Sequence, residues 1–238
     1  NDLDCKDCFD LNLVLGRLRQ SGVYLTNKTI DYSSTEGKNL VQKYKIEKIP
    51  SLLLSKEAIE YGIISNVWDK AGTKESDGTL VLRIINPPFK EIKTGKIKGK
   101  PSIIYLTDAS CKQCYNVTMH KNLLEANFGM TFEEERYADV SSIEGKKTAS
   151  KYKITRVPTV IISLEAKEYT SFAELWKQVG DVTNDGSFVF RKLELFVVEG
   201  LDWDRIPESG VSKDNVEDEE RYEVKKFMQD FEKKLSSK

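Results

Sequence analysis

The stretch Ser102-Ile103-Ile104-Tyr105-Leu106-Thr107-Asp108-Ala109-Ser110-Cys111-Lys112-Gln113-Cys114 joins a short apolar, β-branched run to two cysteines with two residues between them. Residues 102–106 have the composition of a buried strand. Beyond the cysteines, Tyr115, Val117, Leu123 and Leu124 recur at roughly helical spacing through a proline-free stretch, which predicts an amphipathic helix starting at the cysteines. The same cysteine spacing occurs once more, as Cys5-Lys6-Asp7-Cys8, and these four are all the cysteines of the chain.

Far more than the cysteines repeats. Shifted by 108 residues, Asp31-Tyr32-Ser33-Ser34-Thr35-Glu36-Gly37-Lys38 falls on Asp139-Val140-Ser141-Ser142-Ile143-Glu144-Gly145-Lys146, and Lys43-Tyr44-Lys45-Ile46 falls on Lys151-Tyr152-Lys153-Ile154. Pro50, Trp68, Gly72 and Arg83 meet Pro158, Trp176, Gly180 and Arg191, and about 22 of 53 positions are identical between residues 31–83 and 139–191. The C-x-x-C pairs align at a shift of 106 instead. A period this long is a duplication of whole domains, well beyond the 20–50 residues of solenoid repeats.

Within one unit the expected order is strand, C-x-x-C helix, strand around residues 131–140, helix over 142–152 capped by Ser141 or Ser142, and a strand opened by Pro158. A further helix over 172–179, a turn at Asp185-Gly186 and a last strand at 187–191 follow. Such alternation implies an α/β domain with a largely parallel central sheet. Only four residues precede Cys5, so the first copy lacks the strand that leads to the cysteines in the second; either trimming removed it or that half is built without it. The expected division is a first domain over 1–89, a lysine-rich linker over 90–100, a second domain over 101–200, and a charged tail over 201–238 with one apolar stripe, which reads as an amphipathic helix.

Composition narrows the function. The 238 residues are 39% hydrophobic and 32% charged, with Lys+Arg 37 against Asp+Glu 38, as befits a folded, water-soluble protein of two domains. That balance argues against nucleic acid as a partner, and no apolar run approaches a bilayer span. No Gly-rich phosphate loop, paired carboxylates or Ser/His/Asp set emerges. The first residue is Asn, not Met, so the chain is expected to be trimmed, with a lean toward an extracytoplasmic or membrane-tethered soluble piece; the oligomeric state is open.

A C-x-x-C in the first turn of a helix puts two sulfurs within disulfide reach and the first near unpaired backbone N–H groups that favour a thiolate. Such settings bring a thiol pKa from about 8.5 to about 3.5–7.5. Lys6 and Lys112, directly after the first cysteine of each pair, would push the same way. Combined with Lys45-Ile46-Glu47-Lys48-Ile49-Pro50-Ser51-Leu52-Leu53-Leu54 and Lys153-Ile154-Thr155-Arg156-Val157-Pro158-Thr159-Val160-Ile161-Ile162, the motifs resemble the thioredoxin fold, a central mixed sheet flanked by helices. Two such units are similar to archaeal protein disulfide oxidoreductases and protein disulfide isomerases. The resemblance implies thiol–disulfide exchange with protein substrates, Cys5 and Cys111 attacking and Cys8 and Cys114 resolving. It also implies cis peptides before Pro50 and Pro158, with Ile49 and Val157 offering backbone to a bound peptide. The electrons reside in the cysteines, so no cofactor is implied. The chain departs from that family in having Asp4 and Ser110 where a Trp precedes the first cysteine, Lys-Asp and Lys-Gln between the cysteines, and insertions over 55–78 and 163–186.

The alternative is a non-catalytic thioredoxin-like scaffold or interaction module with structural disulfides. Four thiolates on zinc would need the two cysteine loops face to face, and the spacers between them are too long for a zinc knuckle, so no metal is expected. His120, the single histidine, reads as an exposed helix position; Trp68 and Trp176 read as equivalent core anchors; Asn27-Lys28-Thr29 and Asn116-Val117-Thr118 fit the glycosylation acceptor pattern.

Overall fold

A computed structural model describes residues 1–193 of the chain. The amphipathic tail helix expected over 201–238 and the end of the second domain lie outside the described residues. The chain forms two compact units, the first Asn1–Lys100 and the second from Pro101 onward. Both mix helices with sheet.

The first unit runs α1 (Asn12–Gln20), α2 (Thr35–Tyr44), β1 (Lys48–Ile49), β2 (Leu53–Leu54), a 3-10 turn over Lys56–Glu60, α3 (Gly62–Ala71), β3 (Gly72–Lys74), β4 (Leu80–Leu82), β5 (Phe89–Glu91) and β6 (Ile97–Lys98). The second runs β7 (Ser102–Thr107), α4 (Met119–Phe128), β8 (Glu134–Asp139), α5 (Ile143–Lys151), β9 (Thr159–Ile162), a 3-10 turn over Leu164–Glu168, α6 (Thr170–Trp176), β10 (Gly180–Val182) and β11 (Phe188–Phe190).

In the second unit five strands make one sheet in the order β10-β11-β9-β7-β8. Its side chains alternate strictly, as period-2 geometry requires. Ile103 and Tyr105 of β7, Val160 and Ile162 of β9, and Phe188 and Phe190 of β11 join one core with Leu124 of α4 and Phe172 and Trp176 of α6. Leu106, Ile161 and Val189 face the other way, against Ala149 and Tyr152 at the α5 end. The sheet is therefore covered on both faces. It is not largely parallel, as the alternation of elements implied: β7–β8 is the one parallel pair, and the pairs β7–β9, β9–β11 and β11–β10 are antiparallel. The chain leaves α5 and enters β9 through Pro158 running against β7, which a helical crossover alone does not dictate.

The duplication holds down to single hydrogen bonds. Gly72↔Leu82 and Leu53↔Val81 in the first unit repeat Gly180↔Phe190 and Ile161↔Val189 in the second. Trp68 and Trp176 are both buried, and their indole N–H groups donate to Thr73 O (3.1 Å) and Asp181 O (3.3 Å). Ser34 and Ser142 cap α2 and α5 by accepting from the N–H groups of Gly37 and Gly145. Both glycines are enforced by close approach: a Cβ at Gly37 would lie 2.0 Å from Asp31 O, and one at Gly145 would lie 1.8 Å from Asp139 O. The expected insertions over 55–78 and 163–186 carry α3 and α6 with their 3-10 turns.

One expectation for the first unit needs correction. Residues 90–100 are not a linker; β5 and β6 form a hairpin that pairs with β1, in the order β1-β5-β6. The second, separate sheet has the order β2-β4-β3. Tyr32 N donates to Asn1 O (2.8 Å) as Val140 N donates to Thr107 O (2.9 Å). Asn1 thus stands where β7 ends in the other copy. Residues 26–31, which match β8, form no strand.

Candidate functional site

Both C-x-x-C pairs are closed disulfides, with Cα atoms 5.4 Å apart in Cys5–Cys8 and 5.5 Å apart in Cys111–Cys114. All four cysteines are half-buried, so neither bond is sealed in the interior. Lys6 and Lys112 beside them are exposed.

One loop design holds both pairs. Asp2 and Asp108 start it, each three residues before the first cysteine. Their carbonyls accept from Cys5 N (3.3 Å) and Cys111 N (3.1 Å), and their Oδ1 atoms accept from Asp4 N (3.1 Å) and Ser110 N (2.9 Å). A second carboxylate braces the loop from the neighbouring segment: Leu3 N donates to Asp31 Oδ2 (3.1 Å) and Ala109 N to Asp139 Oδ2 (2.6 Å). These aspartates escaped the sequence reading, although the 106-residue shift that aligns the cysteines also aligns Asp2 with Asp108.

The helices do not start at the cysteines. Their first residues are Asn12 and Met119. Between cysteine and helix, Asp10 Oδ1 accepts from Asn12 N (2.9 Å), and Asn116 Oδ1 accepts from Thr118 N (3.1 Å) and Thr118 Oγ1 (2.8 Å). Side-chain acceptors of this kind offer the backbone an alternative to the helix. The Asn116-Val117-Thr118 triplet, read as a glycosylation acceptor, is such a turn. The helix field falls off within about one turn, so the expected depression of a thiol pKa by the helix end finds no support here.

The peptide bonds Ile49-Pro50 and Val157-Pro158 are both cis. In the second unit the cysteine loop is tied directly to that proline, because Tyr115, next to Cys114, donates its hydroxyl to Pro158 O (2.9 Å). The Tyr115 hydroxyl also lies 2.8 Å from His120 Nε2. His120 is buried, 4% exposed, and its ring meets Phe190 edge-on at 4.5 Å; it is not the exposed helix residue expected from sequence. Burial pushes its pKa down to about 3 and drives the Tyr115 phenol up. The signal for burial was present: Val117 and Leu124, three residues before and four after, place His120 on the apolar face of α4.

The first unit differs at each of these points. Phe9 and Val14 occupy the positions of Tyr115 and His120. Phe9 N donates to Pro88 O (2.7 Å), and Pro87-Pro88 is a further cis bond. From Pro88 the chain continues into β5, where Lys90 pairs with Ile49, the residue before Pro50. The segment 88–91 thus runs from the residue after Cys8 to the residue before Pro50. Lys90 Nζ reaches Asp2 Oδ2 at 2.5 Å, with Asp2 only 3% exposed. Pro50 and Pro158 are buried, Ile49 is buried and Val157 is half-buried.

Among the described residues no group of three or more His, Cys, Asp or Glu is close enough to hold a metal ion, and no helix is long and apolar enough to cross a membrane. No known protein family, curated protein or solved structure matches the chain.

Proposed function

We propose that the protein is a thiol–disulfide oxidoreductase made of two thioredoxin-like units, and that it exchanges disulfides with protein substrates chiefly through Cys111 and Cys114. The observation that carries this reading is the Cys111–Cys114 bond, half-exposed after the end of β7 and tied through Tyr115 to the cis proline that opens β9. The sheet order β11-β9-β7-β8, with β7–β8 parallel and β9 antiparallel, supports the fold assignment.

In the reducing direction an external dithiol first opens Cys111–Cys114. The Cys111 thiolate then attacks one sulfur of a substrate disulfide, breaking that bond and forming a mixed disulfide as one substrate thiolate leaves. The Cys114 thiolate attacks Cys111 Sγ, the mixed bond breaks, the second substrate thiolate leaves, and the protein disulfide is restored. Two electrons pass to the substrate, and its two thiolates take protons from solvent. The oxidising direction is the reverse, starting from the closed bond. Val157 offers backbone to the extended substrate.

A structural role is favoured for Cys5–Cys8. The Ile49 backbone that would receive a substrate is already paired with Lys90, and the chain's own segment 88–91 fills the ridge beside the cysteine loop. Insulin-disulfide reduction with dithiothreitol, and refolding of a scrambled substrate, test the whole reading. The intact chain is expected to accelerate both and Cys111→Ser to abolish the gain. Equal, buffer-level rates for the two proteins would leave only the scaffold reading. Alkylation after mild reduction is expected to label Cys111 fastest.

A further inference from the structure

His120 is buried five residues after Tyr115, and the Tyr115 hydroxyl bridges its Nε2 and the Pro158 carbonyl. A phenol has a single proton. Since Tyr115 gives that proton to Pro158 O, it must accept from His120, so His120 carries a hydrogen on Nε2. The result is a directed chain, His120 Nε2–H to Tyr115 Oη–H to Pro158 O, running from the helix core to the backbone that follows the cis bond. Nothing like it exists in the first unit, where Phe9 and Val14 have no polar atoms to offer.

We infer that Tyr115 and His120 are positioning residues of the second disulfide, holding the Val157-Pro158 backbone against the cysteine loop in the orientation that docks an extended peptide carrying the substrate disulfide. This rests on the exchange function proposed above and adds the residues that set substrate affinity. Tyr115 cannot swing away without leaving both a carbonyl and an imidazole N–H without their partner in the interior, which is costly. The Pro158 carbonyl is thereby fixed, and because the proline ring locks φ, the Val157 groups before it are held with it. Neither residue exchanges electrons or protons with the substrate; both act through Pro158.

The test uses the full chain with Cys5→Ser and Cys8→Ser, so that turnover of insulin by dithiothreitol reports the second pair alone. Tyr115→Phe removes one oxygen and keeps the ring; it is expected to raise KM for insulin about tenfold while kcat changes by less than about twofold. His120→Leu is expected to do the same. His120→Gln restores an N–H at the reach of Nε2 and is expected to bring KM back to within about threefold. Lowered melting temperatures with KM unmoved in Tyr115→Phe and His120→Leu would reduce the pair to a structural role and overturn the inference alone. A parent protein that turns over no insulin would overturn the exchange function and the inference together. Because the chain has one histidine, nitrogen-15 NMR of the unaltered protein reads the tautomer without any variant. A proton on Nε2 near neutral pH is expected, and a proton on Nδ1 alone, or an imidazolium, would overturn the inference.

Discussion

Around Cys5–Cys8 the polar atoms beside the cysteine loop are ionic and the backbone before the cis proline is already paired: Asp2 is buried against Lys90, and Ile49 pairs with the strand that carries that lysine. Around Cys111–Cys114 they are neutral, a tyrosine and a histidine in series, and they end on the proline carbonyl. The loops themselves are alike, with the same aspartate in front and the same brace behind. Two copies of one loop thus stand in different surroundings, while the loop and the disulfide that each presents are alike.

The widest gap between the copies should appear in exchange. Replacing Cys111 and Cys114 together by serine is expected to cut insulin turnover about a thousandfold, to the buffer level, whereas the same change at Cys5 and Cys8 costs less than about threefold. Equal losses would erase the functional asymmetry. Stability should show the opposite bias. Asp2→Asn leaves the Lys90 ammonium without its counter-charge and is expected to lower the urea midpoint of the first unit. Asp108→Asn, at the matched position, removes a turn acceptor and is expected to cost about 1 kcal/mol.

Acid sharpens the contrast further. His120 has a folded pKa of about 3, well below the ordinary 6.5. Below about pH 6.5 the unfolded chain takes up a proton that the folded second unit refuses, so stability falls as pH drops, by up to about 1.4 kcal/mol per pH unit, until the folded pKa is reached. His120→Leu is expected to flatten that slope in denaturation curves between about pH 6 and pH 4, with no counterpart at Val14 in the first unit. The smallest effect is expected at the exposed lysines. Lys112→Gln and Lys6→Gln should change the alkylation rate of the reduced pairs by less than about twofold at physiological salt, because an ammonium in water is well screened.

Much of this was legible in the sequence, and from α2 onward the duplication reads many elements twice. The strands expected over 102–106, around 131–140 and from Pro158 onward, the cap at Ser141 or Ser142 and the matched tryptophans come from residue pattern, and the structure forms strands over 102–107, 134–139 and 159–162 with Ser142 as the cap. The helix start did not, since Asp10 and Asn116 divert backbone N–H groups that periodicity alone assigns to a helix. Residues 90–100 misled through their lysines; the signal for the hairpin was Phe89, Ile92 and Ile97, apolar positions that a solvated linker has no use for. Sheet direction was hidden for a different reason. Whether a strand runs with or against its neighbour depends on the end of the sheet at which the chain re-enters, and no local pattern records that. The Asp2–Lys90 pair spans most of the first unit, so no short-range rule would have joined its two ends.

The β5–β6 hairpin also decides where the first half can be separated from the second. A piece cut after residue 89 would keep both cysteines and the helix α1 that follows them, yet Ile49 would present a bare edge and Asp2 an unneutralised carboxylate. Such a fragment would be sticky and unstable, and any thiol reactivity measured on it would belong to an exposed ridge that the intact chain covers. The shortest faithful excision runs through Lys100.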